Sequence, residues 1–205
     1  MSALMEGLRE RKKRETRESI AATAMELFLE HGFDAVTVAD VARAADVAEK
    51  TVFNHFATKE DLVFFRSEDR LAAQVEAIRT RAPGVSLPQL FEAETMAWLD
   101  QIESGRVEAL MTVPRVVRGS AALQARLLTY WEREAHELTL AVSEDYDLVA
   151  ATAVRSLAWA HRMIFRAAMK RLLAGEHPLT VAAELRLETR RVYSRLERGL
   201  AGFGT

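Results

Sequence analysis

Helical periodicity extends along almost the whole of this chain. Apolar residues recur three or four positions apart, first in the stripe Ile20, Ala24, Leu27 and Phe28, and this spacing places them on one face of an α-helix. The 205 residues include only nine Gly and four Pro, so few residues oppose helix formation. No segment shows the convincing alternation of apolar and polar residues that is typical of a half-buried strand. The sequence therefore predicts an all-α protein.

Turn-forming segments divide this pattern into about nine helices. In the first part of the chain we predict helices over residues 14–31, 38–45, 48–56 and 58–81. The segment RAPGVSLP, residues 81–88, then interrupts the helical pattern. Beyond it, the predicted helices cover residues 87–103, 107–117, 121–142, 147–173 and 180–200. The predicted architecture is a three-helix module within residues 1–58, followed by a larger antiparallel helical bundle over residues 59–205.

Composition and charge exclude several classes of function. The absence of Cys excludes disulfides and thiolate chemistry. The formal net charge of −2 gives no general attraction to nucleic acids or membranes, so any such affinity must be local. No apolar run approaches the roughly 18 residues that a membrane-spanning helix needs, and the N-terminus lacks the apolar segment of a secretory signal. We therefore expect a cytoplasmic location without membrane association.

The sequence also lacks the motifs that mark common enzymes. It contains no HExxH, no P-loop and no G-x-S-x-G. Glu132 and His136 are spaced to lie one helical turn apart, which would suit a metal ion, but no second motif accompanies them. A surface pair explains these two residues more simply. We expect neither enzymatic activity nor a metal or other cofactor.

Two of the predicted helices are unusually short and follow each other almost directly. Thr37 is a predicted N-cap for the first, with Asp40 three residues later as its partner. Helices of this length are unstable alone, so they must pack on the first helix of the chain. The predicted inward-facing residues are Val38, Val41, Ala42, Val47, Val52 and Phe56. Two short helices joined by a tight turn form a helix-turn-helix.

The outward face of the second short helix remains free in this arrangement. Such a helix fits the major groove of DNA, where side chains near its N-terminus reach the edges of the bases. His55 and Lys59 follow at positions suited to backbone phosphates, and a helix beginning at Thr58 would offer free N–H groups to the same anion. The predicted DNA contacts of this module are Thr37, Glu49, Lys50, Thr51, Phe53, Asn54, His55 and Lys59.

Residues 24–62, AMELFLEHGFDAVTVADVARAADVAEKTVFNHFATKEDL, resemble the DNA-binding domain of TetR-family transcriptional regulators. The positions that carry this resemblance are Phe28, Gly32, Phe33, Thr37, Ala42, Val47, Phe53, Phe56, Lys59, Glu60 and Leu62. Three positions depart from the family pattern. Asp46 replaces the usual turn Gly, and tolerates the left-handed conformation better than most residues do. Lys50 often corresponds to Gly, and Phe53 lacks the hydroxyl of the usual Tyr.

A basic segment precedes this module. Residues 9–17 contain six basic and two acidic residues. One interpretation is a solvated and partly disordered tail, as charged segments usually are. The other is an arm that contacts the minor groove or the phosphates through Arg11, Lys12 and Lys13. In the second case the segment supplies much of the salt-dependent affinity for DNA.

The resemblance implies a cavity for a small-molecule effector in the C-terminal bundle. Residues of the predicted bundle helices that would line it are Phe91, Met96, Trp98, Met111, Arg115, Arg118, Trp131, Trp159, Met163 and Arg166. Aromatic and Met residues at helical spacing are more often simply core residues. Residues 113–127 resemble regulators that bind acyl-CoA-like ligands, which would bring Arg115 or Arg118 towards an anionic group.

The last two predicted helices carry more small apolar residues than one buried face requires. Ala150, Ala151, Ala158 and Ala167 flank the main apolar stripe of the first of these helices. They serve either packing within the chain or a homodimer interface, which the resemblance implies. A homodimer would bring two DNA-contacting helices to one operator, and two are needed because a single helix covers too few base pairs for specificity.

The predicted function is that of a ligand-responsive regulator. We expect a homodimer that binds a palindromic operator in double-stranded DNA, represses transcription, and is released by an apolar or amphipathic effector. Residues 1–58 would bind DNA, and residues 59–205 would bind the ligand and form the dimer. A ligand-independent helix-turn-helix protein is the alternative.

Overall fold

The computed structural model describes residues 7–200, which are helical apart from turns and short connections. The nine α-helices of this part of the chain are α1 (Leu8–His31), α2 (Val38–Ala44), α3 (Glu49–His55), α4 (Ser67–Arg79), α5 (Leu87–Glu103), α6 (Val107–Arg118), α7 (Ala121–Val142), α8 (Leu148–Leu173) and α9 (Pro178–Gly199). A short 3₁₀ helix, Glu60–Leu62, lies between α3 and α4. No strand occurs among the described residues, and the all-α prediction is confirmed.

The helix predicted over residues 58–81 was wrong, because the structure divides it in two. Residues 60–62 form the 3₁₀ helix, and α4 begins only at Ser67. Leu62, the last residue of the 3₁₀ helix, begins a run of four apolar residues that ends at Phe65, and all four pack into one core. Successive residues of an α-helix point about 100° apart, so a continuous helix would direct some of these side chains away from that core.

The first helix begins earlier than predicted. α1 starts at Leu8, so the basic residues 9–14 form its first turns. The interpretation of these residues as a disordered tail was therefore wrong. Thr16 donates its hydroxyl to the carbonyl of Lys12 (2.9 Å), and Arg11 lies 3.7 Å from Glu15 one turn later. Residues 1–6, which precede this basic segment, lie outside the described part of the chain.

The described chain forms two compact units, each with its own packing. The first unit combines the chain up to Ser67 with Thr112–Leu127, and the second combines Glu68–Met111 with the chain from Leu128 onwards. Helices α6 and α7 therefore contribute residues to both units. The predicted division at residue 58 concerns function, and it stays a proposal.

The first unit is organised around the predicted stripe of α1. Ile20, Ala24 and Phe28 are buried, and Phe33 meets Phe28 edge-on with 5.0 Å between ring centroids. The other buried members of this core are Ala21, Met25, Val36, Val41, Ala42, Val52, Phe56, Leu62, Val63, Val116, Val117 and Leu123. The last three come from α6 and α7, so distant parts of the sequence stabilise the N-terminal module.

The second unit is a helical bundle in which α5, α8 and α9 pack on one another. One of its apolar clusters surrounds Leu87, Phe91, Leu157 and Tyr193, and another surrounds Leu99. No helix of the described residues has the length and apolar character that crossing a membrane requires.

Candidate nucleic-acid interface

Helix α2 begins with the predicted N-cap. The Thr37 Oγ1 accepts a hydrogen bond from the amide of Asp40 (3.1 Å), and the Asp40 carboxylate accepts one from the amide of Thr37 (3.0 Å). These side-chain and backbone hydrogen bonds from Thr37 favour the charged carboxylate and lower the pKa of Asp40. The reciprocal bonds satisfy two amides that a seven-residue helix otherwise leaves exposed.

The turn between α2 and α3 requires an unusual backbone conformation. Asp46 has a φ of 53°, in the left-handed region that the sequence predicted for this position. The next residue, Val47, donates its amide to the carbonyl of Ala42 (3.0 Å) and packs against the core. This turn fixes the angle at which α3 leaves α2.

Helix α3 has one buried face and one exposed face. Val52 is 1% exposed and Phe56, which ends the helix, is 2% exposed. Phe53, by contrast, is 53% exposed. Glu49, Lys50 and Asn54 are also exposed, whereas Thr51 is half-buried. The predicted DNA contacts between Glu49 and His55 therefore lie together on α3, and most of them face solvent.

Beside this face, α1 and α3 form a basic cluster of Lys13, Arg17 and His55. Burial lowers the pKa of His55, and the positive charges of Lys13 and Arg17 lower it further. Arg17 donates to the Phe65 carbonyl (3.3 Å) and lies 5.4 Å from the centroid of the Phe56 ring. The buried Nε of Arg17 and Nδ1 of His55 have no partner. An incoming anion would offset the positive charges of Lys13 and Arg17 at this position.

Arg17 was missed by the sequence analysis, which took the basic segment as a separate arm. The signal was present, because Lys13 and Arg17 are four residues apart and therefore share one side of a helix. Arg11 and Lys12 are exposed on the first turns of α1.

Lys59 and Thr58 occupy a loop whose polar groups already have partners. The Lys59 ammonium donates to the carbonyls of Phe33 (2.9 Å) and Val36 (3.0 Å), and lies 4.1 Å from the centroid of the Phe33 ring. The Thr58 amide donates to the Asp61 carboxylate (3.0 Å), whose other oxygen accepts from Arg126 (3.0 Å). The predicted helix starting at Thr58 was wrong, because the 3₁₀ helix here covers Glu60–Leu62, whereas the offer of free N–H groups to a phosphate stays a prediction.

The residues predicted to bind the ligand differ in burial and do not lie around one cavity. Phe91 and Met111 are buried, while Met96 and Trp98 are half-buried beside the cluster around Leu99. Trp131 is half-buried under the guanidinium of Arg162, 4.9 Å from its ring centroid. The exposed members are Arg115 and Arg118 in the first unit, and Trp159, Met163 and Arg166 on α8. Only Phe91 of this set lines the cavity found between α4 and α5. The assignment of these residues to a ligand stays a prediction.

Comparison with known proteins gives a consistent result. Residues 20–64 match the family model described as bacterial regulatory proteins, tetR family. The chain is 32% identical over 149 residues to the HTH-type transcriptional regulator TcmR of Streptomyces glaucescens. This match covers 69% of the chain and 66% of TcmR, just under two thirds of that protein's length.

Solved structures resemble the whole helical fold. GusR of Salmonella enterica superposes with a TM-score of 0.55 at 17% identity, covering 93% of this chain and 98% of GusR. NalD, the secondary repressor of the MexAB-OprM multidrug efflux pump in Pseudomonas aeruginosa, gives a TM-score of 0.53 at 22% identity, covering 89% and 97%. TcmR is described as a transcriptional regulator and NalD as a repressor. The chain belongs to the tetR family of bacterial regulatory proteins.

Proposed function

We propose that this protein is a ligand-responsive repressor that binds a palindromic operator as a homodimer. The observation that carries the proposal is the exposed face of α3, which includes Lys50, Phe53 and Asn54, above the buried Val52. Helix α3 presents this face to the major groove, where Lys50 reaches a base edge or a phosphate. The cluster of Lys13, Arg17 and His55 contacts a neighbouring phosphate, which fixes the register of the helix.

Lys59 has a supporting role in this proposal. Its ammonium holds the loop through the carbonyls of Phe33 and Val36, and it approaches DNA with its remaining N–H. The loop that it stabilises connects α1 to α2, so Lys59 also positions the reading module.

A second copy of the chain completes the operator contacts. Trp159 (52% exposed) and Met163 (48% exposed) form an apolar strip on α8 with the exposed Thr152. On α9, Leu187 is 57% exposed. Exposed apolar surface of this kind is typical of an interface. A two-fold axis through it would pair the α3 helices of the two copies with the two halves of a palindrome.

The effector acts through helices that belong to both units. Helices α6 and α7 each carry continuous backbone from one unit to the other. A ligand that binds one arrangement of the second unit more tightly therefore shifts the placement of α3. The helix predicted over residues 58–81 does not provide such a continuous link, since α4 begins only at Ser67. A coupling of about 1–3 kcal/mol is sufficient for regulation.

Selection of bound DNA from a random pool, with the full chain, tests the proposal. We expect a two-fold symmetric sequence to be enriched, with half-sites about 34–36 Å apart or a multiple of that spacing. The Lys50→Ala variant should lose operator binding without a change in oligomeric state. Arg79→Ala, at an exposed position in the second unit, is the control and should bind normally. An unchanged footprint for Lys50→Ala would contradict the placement of the reading face.

A ligand-independent helix-turn-helix protein is the second candidate. A thermal-shift screen separates the two, because an effector that prefers the folded chain raises its melting temperature. A regulator whose operator affinity no small molecule changes would support this second candidate.

A further inference from the structure

Four side chains of α3 face solvent together, and one of them is apolar. Glu49, Lys50, Phe53 and Asn54 are the exposed residues of this helix. Each residue of an α-helix is turned about 100° from the one before, so these four side chains span an arc of roughly 140° around the helix. Lys50 and Phe53 occupy the middle of this arc, because Glu49 and Asn54 lie at its two ends. The surface that α3 would offer to DNA therefore has an aromatic ring near its centre.

The ring of Phe53 is available to a partner in this position. Its side chain is 53% exposed, and the apolar core of the first unit includes Val52 and Phe56 but not Phe53. Isolated exposed apolar side chains are common on protein surfaces. This one, however, is framed by Glu49 and Lys50, which lie one helical turn before it on the same face. A phenyl ring has only two side-chain torsions, so fixing it at an interface costs little conformational entropy.

Charge complementarity favours a DNA duplex as the molecule that covers this arc. Lys13 and Arg17 of α1 lie beside His55 of α3, and Lys50 adds a further cation within the arc itself. Such a concentration of positive charge attracts the phosphate backbone. The phenyl ring of Phe53 has no donor for a phosphate, so the contact that suits it is with an apolar group of the bases.

The major groove presents such an apolar group at only one of the four bases. Adenine, guanine and cytosine show hydrogen-bond donors and acceptors there, whereas thymine adds a C5-methyl group to its O4 acceptor. A phenyl ring over the edge of adenine, guanine or cytosine would displace water from groups to which it cannot hydrogen-bond, which is unfavourable. Over the thymine methyl group, the ring instead removes two apolar surfaces from water.

We propose that Phe53 recognises thymine, through packing of its ring on the C5-methyl group of one thymine in each half of the operator. This role rests on the proposed function, because it requires α3 to lie in the major groove. Phe53 then determines specificity at this base pair. The phosphate contacts of Lys13 and Arg17, by contrast, contribute affinity without sequence preference.

Replacement of single thymines by uracil tests this contact with the wild-type protein alone. Uracil pairs with adenine and keeps the O4 acceptor, so only the methyl group is removed. The probe is the operator that the full-length protein selects from a random pool, and fluorescence anisotropy at fixed salt measures the affinity. We expect uracil at one position of a half-site to lower the affinity about fourfold, which is the effect of one buried carbon group. Equal affinities for thymine and uracil at every position would overturn the inference.

Variants at Phe53 test whether this side chain makes the methyl contact. In Phe53→Ala the preference for thymine over uracil at that position should disappear, whereas in Phe53→Leu, which keeps an apolar side chain, it should persist. Leu29→Ala, the control, truncates a side chain that is 47% exposed on α1 and should retain the full preference. Measurement at low salt keeps a weakened variant bound through its phosphate contacts. An unchanged preference in Phe53→Ala would show that another residue contacts the methyl group, and would overturn the assignment.

The same experiments separate this role of Phe53 from the proposed function. An operator that is selected and bound, but whose affinity depends on no thymine methyl group, disproves the role of Phe53 and leaves the proposed repressor intact. If no DNA sequence is enriched from the pool, the proposed function fails, and the role of Phe53 fails with it.

Discussion

Thr95 joins three helices of the second unit through hydrogen bonds. Its single hydroxyl proton goes to the carbonyl of Phe91 (2.8 Å). The same oxygen lies 2.9 Å from His161 Nδ1 and 3.1 Å from the Tyr193 hydroxyl. The Tyr193 hydroxyl also lies 3.5 Å from the carbonyl of Leu157, to which it can donate.

The environment of His161 predicts a loss of stability in acid. Burial, then the charges of Arg70 and Arg162, lower its pKa to about 4 from an ordinary value of 6.5. The unfolded chain therefore takes up a proton near pH 6.5, while the folded chain resists it until about pH 4. The stabilisation is complete above pH 6.5 and is lost as the pH falls towards 4, by up to about 3 kcal/mol. Urea unfolding at several pH values measures this loss.

His161→Leu removes the titrating group and should flatten this part of the pH dependence relative to the wild-type protein. His177→Leu, at an exposed position before α9, is the control and should retain it. If the free energy of unfolding depends on pH in the same way in the wild-type protein and in His161→Leu, then His161 has the same pKa in the folded and unfolded chains and the prediction fails.

Asp46 offers a test of backbone strain at a single residue. Its φ of 53° costs an L-residue about 1 kcal/mol, less for Asp than for most. Asp46→Gly should therefore raise the free energy of unfolding by about 0.5 kcal/mol, after allowance for the greater entropy of unfolded Gly. Asp69→Gly in the first turn of α4 is the matched control and should lower it by about 0.5 kcal/mol, through helix propensity and the lost charge at the helix N-terminus. A loss of stability in both variants would mean that Asp46 makes a contact worth more than its strain.

At the scale of the element, α2 and α3 show how a seven-residue helix is maintained. Neither has enough residues to be stable alone. Each is held by one buried face, and α2 also has the Thr37 and Asp40 capping bonds. The fit of these helices to DNA therefore depends on their packing rather than on their own stability.

Removal of the α2 cap should affect both folding and DNA binding. Thr37→Ala is expected to cost about 1 kcal/mol of stability, because the amide of Asp40 loses its acceptor. Operator affinity should fall as well, since α2 supports α3. Ser86→Ala removes the equivalent cap of α5, where Ser86 accepts from the amide of Gln89 (3.3 Å). Ser86→Ala should lower the free energy of unfolding by a similar amount but leave operator affinity, measured by fluorescence anisotropy, unchanged. Equal losses of affinity in the two variants would show that the α2 cap has no specific role in DNA binding.

At the scale of the whole molecule, burial favours packing within the chain for three of the four small residues that flank the apolar stripe of α8, while Ala167 is half-buried. Ala150, Ala151 and Ala158 are buried within the single chain, so intrachain packing explains them. The surface left for a partner is instead the strip with Trp159 and Met163. In the proposed homodimer, a two-fold interface would cover this apolar area, which a monomer exposes to water.

Trp159→Glu tests this interface. A carboxylate buried between two copies is unfavourable, so we expect sedimentation to show a dissociation constant raised at least tenfold. Leu29→Glu, at an exposed position of α1, is the control and should leave the dimer unchanged. Because Trp159→Glu weakens dimerisation, its operator affinity should fall as well. If the variant remains dimeric, the interface does not include Trp159.

The sequence by itself determined the helices, the inward faces of the reading module and its turn, because these depend on local spacing and on residue conformational preferences. Helices α5 and α7 match their predicted bounds, and the left-handed Asp46 was expected. Only the tertiary structure decided which surfaces remain exposed and which charges meet. It broke the predicted helix before Ser67 so that four successive apolar residues share one core. It also brought Gln74 to Glu94 and Arg17 to His55. Such contacts join residues far apart in the chain, and no periodicity of a single sequence specifies them.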